Sequence, residues 1–208
     1  MEAMLNRRTL LVLTATVLAP IGGRLVRPVH AQSADGHANA FVKSVGDKLV
    51  AVVNSSDSVN EKRSKLTAII DGAVDVDGVA RFCLGRFWRN ASANQQQQYT
   101  ELFHQVLVQN ITVKLGEYRG VSFTMGRTRQ HDENAAVSTV VERPYHPPTN
   151  VDWIIANPAG NPKIVDVIAE GTSLRLTQRQ DYASYLSRNN NSIDALINAM
   201  RQQLAQAG

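Results

Sequence analysis

The sequence predicts an α+β domain in which helices pack on one face of a four-stranded antiparallel sheet. Apolar residues recur every three or four positions up to Gly116 and again beyond Gly171, but alternate every second position between these glycines. The 208 residues also fit one domain, since domains usually have about 100–200 residues. Because a concave sheet covered by helices can leave a space between its layers, we expect an apolar cavity there.

The first two predicted helices are amphipathic. Apolar residues from Ala38 to Val53 fall on one helical face, and the polar residues 54–60 end this helix. A second helical pattern follows, with Leu66 and Ile70 on its apolar side. Both helices therefore have one face suited to cover a core.

Two further helices are predicted from their N-terminal caps. Asp75 and Asp77 are suited to cap a short helix through Arg86, because a carboxylate accepts hydrogen bonds from free first-turn N–H groups. Ser92 and Gln95 form a capping box that opens a long helix. The apolar stripe of this long helix is wide and comprises Tyr99, Leu102, Phe103, Val106, Leu107, Ile111 and Leu115.

Four strands of an antiparallel meander are predicted next, because turn residues separate short alternating runs. The clearest turn is residues 157–161, Asn-Pro-Ala-Gly-Asn. Helical periodicity returns after Gly171, and Ser192 is placed to cap the final helix. The predicted strands are Val121–Met125, Ala135–Val141, Val151–Ile155 and Val165–Ala169.

The first 31 residues read as an export signal peptide. Arg7 and Arg8 precede an apolar run from Thr9 to Ala19, and a small-residue cleavage pattern ends at Ala31. The run is too short to span a bilayer, which needs about 20 residues. The paired arginines resemble a twin-arginine signal, with Sec export as the alternative. We therefore expect a signal peptide at residues 1–31, a single domain at residues 32–208, and a periplasmic location.

The basic charge lies mostly in this leader. The chain has a formal charge of +4, but residues 32–208 have 18 Lys and Arg against 17 Asp and Glu. Such a balance is too small for a phosphate-binding footprint along a nucleic acid, so we expect no nucleic-acid partner.

No residue pattern indicates an active site. The histidines after the leader are far apart and form no metal-binding motif, so we expect neither a metal site nor a cofactor. Cys83 has no intramolecular partner and fits a small buried apolar residue. Ser173 is better suited to cap a helix than to act as a nucleophile. The most pointed polar cluster, Asp166, Glu170, Arg175 and Arg179, is interpreted as ion pairs that fix a helix to the sheet, with acid–base catalysis as the alternative.

Two separated motifs resemble the MlaC family, periplasmic phospholipid-binding proteins also known as toluene-tolerance Ttg proteins. Residues 164–174, IVDVIAEGTSL, followed by QRQDY at 178–182, resemble its pattern K-I-x-D-V-x-x-E-G-x-S-L … x-R-x-x-F. Residues 82–91, FCLGRFWRNA, with Gln96 or Gln97 and Phe103, resemble its pattern L-G-x-x-W-R-x-A-x-x-x-Q … F. The hopanoid-associated HpnM branch of the family is a further possible relative.

This resemblance implies that residues 32–208 form a single lipid-binding domain. The protein would be a carrier that shuttles lipid across the periplasm and is not an enzyme. Its implied partners are phospholipid or hopanoid as cargo, an inner-membrane MCE-domain ABC transporter and an outer-membrane lipoprotein–porin complex. The side chains that we expect to line the lipid site are Trp88, Phe103, Val106, Leu107, Ile111, Phe123, Trp153, Ile155 and Val167.

Two alternatives stay open at the level of sequence. A small cone-shaped domain with a buried carboxylate could perform acid–base chemistry on a hydrophobic substrate, with Asp166 as the base. A periplasmic adaptor without lipid would instead use exposed apolar surface to bind protein.

Overall fold

The computed structural model describes residues 29–206, with side chains from residue 34 onward. The predicted signal peptide, residues 1–31, therefore lies outside the described residues, apart from the backbone of its last three. No helix within residues 29–206 has both the length and the apolar character needed to cross a membrane.

Six α-helices and an antiparallel sheet confirm the predicted α+β class. The helices are α1 (Val29–Asn54), α2 (Val59–Ala73), α3 (Val76–Leu84), α4 (Ala93–Lys114), α5 (Leu174–Arg188) and α6 (Ile193–Gln206). Two 3-10 segments, Gly85–Asn90 and Leu115–Tyr118, follow α3 and α4. The strands are β1 (Ser122–His131), β2 (Asn134–Glu142), β3 (Thr149–Ala156), β4 (Lys163–Ala169) and β5 (Thr172–Ser173).

The sheet is a meander in the order β1-β2-β3-β4-β5, one strand more than predicted. The added strand, β5, is only two residues long, so it has no alternation that the sequence could reveal. It pairs back onto β4 through Glu170 and Gly171, both of which have positive φ (47° and 79°). Two positive φ values in a two-residue loop match the turn that suits the twist of a tight hairpin.

Helix caps mostly follow the prediction. Ser92 and Gln95 form the expected capping box at α4, and a second box that we did not predict opens α2 with Ser58 and Glu61. Asp75, rather than Asp77, caps α3, which ends at Leu84 rather than Arg86. It ends there because Gly85 adopts φ +59° and the chain continues as a 3-10 segment.

Two separate apolar cores hold these elements together. The helical core lies among α3, α4, α5 and α6, and the α1–sheet cluster lies between α1, the end of α2 and one face of the sheet. The long α4 stripe packs mainly on the other helices, whereas α1 contacts β1 and β2. The sheet is therefore covered chiefly by the first helix rather than by the widest stripe.

Candidate functional site

The α1–sheet cluster buries Ala, Val and Ile side chains and leaves longer and aromatic ones at its edge. Its buried residues are Ala38, Val42, Val45, Ala73, Ala135, Val137, Ile155 and Ile164. The apolar side chains around them are only half-buried. These edge residues include Phe41, Leu49, Met125, Trp153 and Val167. Because Phe, Leu and Met are among the residue types most often fully buried, their partial exposure here leaves apolar surface available to a ligand.

Trp153 is held in place by a polar contact within the sheet. Its indole Nε1 donates to Thr139 Oγ1 at 3.0 Å, and the buried Thr139 hydroxyl donates to the Val151 carbonyl at 3.3 Å. A tryptophan whose N–H is satisfied presents only its apolar ring to further contacts. Trp153 can therefore offer a fixed apolar wall at the edge of the cluster.

Phe123 lies directly against the backbone of α1. A Cβ placed on the buried Gly46 would be 2.5 Å from the Phe123 Cζ atom. Only a glycine allows an approach this close, since non-bonded carbons normally lie about 3.5–4.0 Å apart. Gly46 thus allows the backbone of α1 to pack directly against the Phe123 ring of β1.

An apolar groove between α1 and α2 adjoins the same cluster. Its volume is about 370 Å³, and its apolar lining includes Val52, Ala68 and Ile69. Ile69 also packs against the α1–sheet cluster, so the groove and the cluster share this side chain. An ion pair between Lys65 and Asp57, 2.5 Å apart, lies at the edge of the groove.

The nine residues expected to line one lipid site fall into different places. Ile155, Trp153 and Val167 lie in the α1–sheet cluster, and Phe123 lies beside it on β1. Ile111 is half-buried on α4 and belongs to neither core. The four others belong to the helical core or pack against it: Trp88, Phe103, Val106 and Leu107.

Aromatic packing fills the helical core around Tyr99. The Tyr99 ring centre lies 6.0 Å from those of Phe103 and Tyr182 and 6.5 Å from that of Trp88. Its hydroxyl donates to the Ala80 carbonyl at 2.9 Å. Phe103 and Val106 are only 6% and 5% exposed, so their environment is that of a packed protein interior.

A second groove, of about 440 Å³, lies between α5 and α6, and none of the nine residues lines it or the α1–α2 groove. Its lining is mixed and includes Asp181 and Arg188 beside Tyr185 and Met200. A charged lining suits acyl chains less well than the apolar edge of the α1–sheet cluster.

Sequence reasoning did not assign Phe41, Leu49 or Met125 to a site. Phe41 and Leu49 belong to the apolar stripe of the predicted first helix, and Met125 to the first predicted strand. Their periodicity indicated that they face the protein interior. It could not indicate that the neighbouring elements cover these three side chains only in part.

Asp166 is buried and fully engaged where β4 meets α5. It accepts hydrogen bonds from the Ser173 hydroxyl at 2.6 Å, the Val167 N–H at 2.8 Å and the Arg175 N–H at 3.1 Å. The Arg175 guanidinium Nε lies 3.4 Å from the same carboxylate. The predicted ion pair is thus present for Asp166. A buried carboxylate with three hydrogen bonds and an adjacent guanidinium is arranged as an anchor between helix and sheet.

The other members of the polar cluster have different contacts. Glu170 accepts a hydrogen bond from the backbone N–H of Asn150, rather than pairing with an arginine. Arg179 places its guanidinium 5.0 Å from the Phe82 ring centre. The cluster is therefore one ion pair with neighbouring stacking and backbone contacts.

Cys83 is the buried apolar residue that the sequence suggested. It is 1% exposed, and its thiol lies 3.5 Å from the Arg175 carbonyl. Burial raises the pKa of this thiol to about 12, although the charge of Arg175 acts in the opposite direction. The thiol is therefore protonated at neutral pH. Within residues 29–206 no group of His, Cys, Asp or Glu is arranged to hold a metal ion.

This chain is similar to known proteins in three comparisons, two of sequence and one of structure. The family model described as MlaC protein matches residues 43–202. Toluene tolerance protein ttg2D of Pseudomonas putida is 26% identical over 144 residues, which are 68% of this chain and 67% of that protein. A solved phospholipid-binding protein from Ralstonia solanacearum, in complex with a phospholipid, matches with a TM-score of 0.70 and 22% identity. The match covers 82% of this chain and 98% of the Ralstonia chain.

Proposed function

Because this chain belongs to the MlaC family, we propose that it is a periplasmic carrier that binds the acyl chains of a lipid. The observation that supports this most directly is the α1–sheet cluster, where Phe41, Met125 and Trp153 are half-buried around an interior of buried Ala, Val and Ile side chains. The Ralstonia protein of the same fold is in complex with a phospholipid, which favours phospholipid as cargo. Hopanoid is the other candidate.

The cargo site that we propose is the edge of the α1–sheet cluster together with the adjoining α1–α2 groove. The surface inside the groove is mostly apolar, although Lys48, Asp57 and Lys65 also line it. Its volume of about 370 Å³ lies within the usual range for ligand sites of about 300–1,000 Å³. Four of the nine predicted lining residues lie in or beside this cluster: Phe123, Trp153, Ile155 and Val167. The four that belong to the helical core are assigned to packing.

A carrier of this kind meets a clear physical need. Each CH₂ group kept from water contributes about 0.8 kcal/mol, so about 30 of them in two acyl chains amount to about 25 kcal/mol. Lipid exchange between two membranes is therefore slow unless a protein covers the chains. We propose that the carrier passes lipid between an inner-membrane MCE-domain ABC transporter and an outer-membrane lipoprotein–porin complex, after removal of residues 1–31.

The proposed activity is binding without chemistry. Asp166, the one candidate base, has its oxygens occupied by Ser173, Val167 and Arg175. We accordingly place this carboxylate in the structural role, and assign no catalytic residue and no cofactor.

Lipid extraction tests the proposal directly. The protein would be purified from periplasm without detergent, extracted with organic solvent and analysed by lipid mass spectrometry beside an unrelated periplasmic protein. We expect about one phospholipid or hopanoid per protein, and the spectrum identifies the class. Folded protein without lipid would contradict the carrier and favour a protein-binding adaptor.

A matched pair of variants tests the location of the site. Leu49→Asp places a charge at the edge of the α1–sheet cluster, whereas Val113→Asp places one on an α4 side chain that is 67% exposed. Burying an unpaired charge against acyl chains is costly, so Leu49→Asp should lose bound lipid and Val113→Asp should retain it. If Leu49→Asp does not fold, Met125→Gln, an uncharged polar substitution at the same edge, replaces it as the test variant. Equal lipid content in both folded variants would place the cargo elsewhere.

A further inference from the structure

Five arginines lie on α3, on the 3-10 segment that follows it, and at the start of α5, the helix that packs against α3. We call these residues the arginine surface: Arg81, Arg86, Arg89, Arg175 and Arg179. Residues 78–92 and 171–180 contain no Asp or Glu. Since residues 32–208 as a whole are nearly neutral, positive charge is concentrated in these two segments, which are flanked by Asp77 of α3 and Asp181 of α5.

Four of the five guanidinium groups stack on aromatic rings. The distances from guanidinium carbon to ring centre are 5.8 Å for Arg81 on Trp88, 4.9 Å for Arg86 on Phe87, and 4.4 and 5.0 Å for Arg175 and Arg179 on Phe82. A guanidinium over an aromatic ring is attracted to it without using an N–H group on a hydrogen-bond acceptor. These side chains are thus held in place while they keep their capacity for hydrogen bonding.

Most of this capacity is unused within the protein. Among the described residues, only Arg175 of the arginine surface has a carboxylate within 4.0 Å, the buried Asp166. The edge of a guanidinium matches two oxygens of a phosphate group, so arginines of this kind are suited to phosphate. The charge of the surface is therefore complementary to a phosphate-bearing partner.

Exposed leucines adjoin the arginines at the start of α5. Leu174 and Leu176 are 52% and 46% exposed, on either side of Arg175. Leu176 is also three residues before Arg179, which makes these two side chains neighbours on the helix. Apolar side chains next to arginines are typical of surfaces that lie at the boundary between headgroups and acyl chains.

We infer that the arginine surface docks this protein on the anionic phospholipid headgroups of a bilayer. The surface is distinct from the proposed cargo site. Asp166, which bonds to Arg175, and Val167, which packs in the α1–sheet cluster, are adjacent on β4 and so point to opposite faces of the sheet. The inference does not depend on the carrier proposal, because adhesion to a vesicle is measured independently of lipid inside the protein.

Vesicle co-sedimentation tests this inference with the protein purified from periplasm. Vesicles of phosphatidylcholine alone are compared with vesicles that also contain phosphatidylglycerol, at low and at high salt. The test variant is Arg86→Glu with Arg89→Glu, and the control is Arg119→Glu with Arg127→Glu, two exposed arginines outside the surface. Both double variants change the net charge equally. If loss of the contact between Arg86 and Phe87 impairs folding, Arg89→Glu alone replaces the double variant as the test.

We expect binding only to the vesicles with phosphatidylglycerol, and weaker binding at high salt. A basic residue near an anionic bilayer contributes about fivefold in affinity, so the test variant should bind at least about 25-fold more weakly. The control should bind within about threefold of the unmodified protein, as expected for distant charges screened by salt.

Three results would overturn the inference. The first is no binding of the unmodified protein to vesicles with phosphatidylglycerol, even if the surface binds inorganic phosphate or an acidic protein. The second is equal binding to both kinds of vesicle, which would indicate apolar adhesion. The third is an equal loss in the test and control variants, which would indicate an effect of total charge.

Discussion

The close approach of α1 to Phe123 predicts that Gly46→Ala destabilises the protein. A Cβ at Gly46 would lie 2.5, 2.8 and 2.9 Å from three atoms of the Phe123 ring. Normal carbon contacts are about 3.5–4.0 Å, so the ring or the helix must move by about 1 Å. Gly72 in α2 provides the control, because nothing lies within 4 Å of its added Cβ.

The magnitude follows from two opposing terms. Replacing glycine by alanine inside a helix stabilises it by about 0.5–1 kcal/mol, and this gain applies to both positions. Overpacking costs about 1–3 kcal/mol and applies only to Gly46. We therefore expect Gly72→Ala to raise the free energy of unfolding by up to about 1 kcal/mol, and Gly46→Ala to lower it by up to about 2.5 kcal/mol, so that the two variants differ by about 1–3 kcal/mol.

Urea unfolding of the two variants gives the required free energies. Phe123→Leu shortens the opposing side chain, so adding Gly46→Ala to it should cost less than adding Gly46→Ala to the unmodified protein. If Gly46→Ala and Gly72→Ala agree within about 0.5 kcal/mol, α1 does not lie against Phe123 as described. A displaced α1 would also alter the edge of the proposed cargo site, so we expect lower lipid content in Gly46→Ala.

Two more predictions concern the polar and titratable groups around α5. Asp166→Asn should lower the free energy of unfolding by about 3 kcal/mol because it breaks a buried ion pair, whereas Asp47→Asn, in the exposed pair with Lys43, should change it by less than about 0.5 kcal/mol; similar values from urea unfolding would contradict the anchor role. Cys83, with a folded-state pKa of about 12 against an ordinary 9.0, should resist alkylation in the native protein. Since the folded-state pKa of the thiol is raised, its contribution to stability is complete below about pH 9. That contribution is lost as pH rises toward 12, by up to about 4 kcal/mol. Cys83→Ala should therefore reduce the fall in the free energy of unfolding between pH 9 and 12, and an unchanged fall would assign it to other groups.

The elements themselves could be predicted because local physics defines them. Ser92 and Gln95 form their capping box within a single turn, and Ser173 and Ser192 likewise accept hydrogen bonds from the first turns of α5 and α6. In β3, Asp152 and Trp153 alternate between a more polar and an apolar face, whereas Ile154 and Ile155 are buried on both faces. Such signals need only neighbouring residues.

The element that packs against each apolar face could not be predicted, because the hydrophobic effect is non-directional and any apolar surface can cover another. The predicted lipid site combines side chains of the α4 stripe with side chains of the strands. Instead, Phe103 and Val106 meet Tyr182 and α6, whereas the α1 stripe meets the sheet. An amphipathic helix shows which face is buried, and the identity of the covering element depends on contacts distant in sequence.

The bulge in β4 illustrates why the site needs more than alternation. Strict alternation places Val165 and Val167 on one face, with Ile164 and Asp166 on the other. In the structure, Ile154 pairs with Asp166 and Ile155 with Ile164, so Val165 is an extra residue in the ladder. Ile164 and Val167 consequently both pack in the α1–sheet cluster, while Asp166 bonds to Ser173 and Arg175. A one-residue shift in register would turn the carboxylate toward the apolar cluster, so the donors around Asp166 also fix Val167 at the edge of the proposed cargo site.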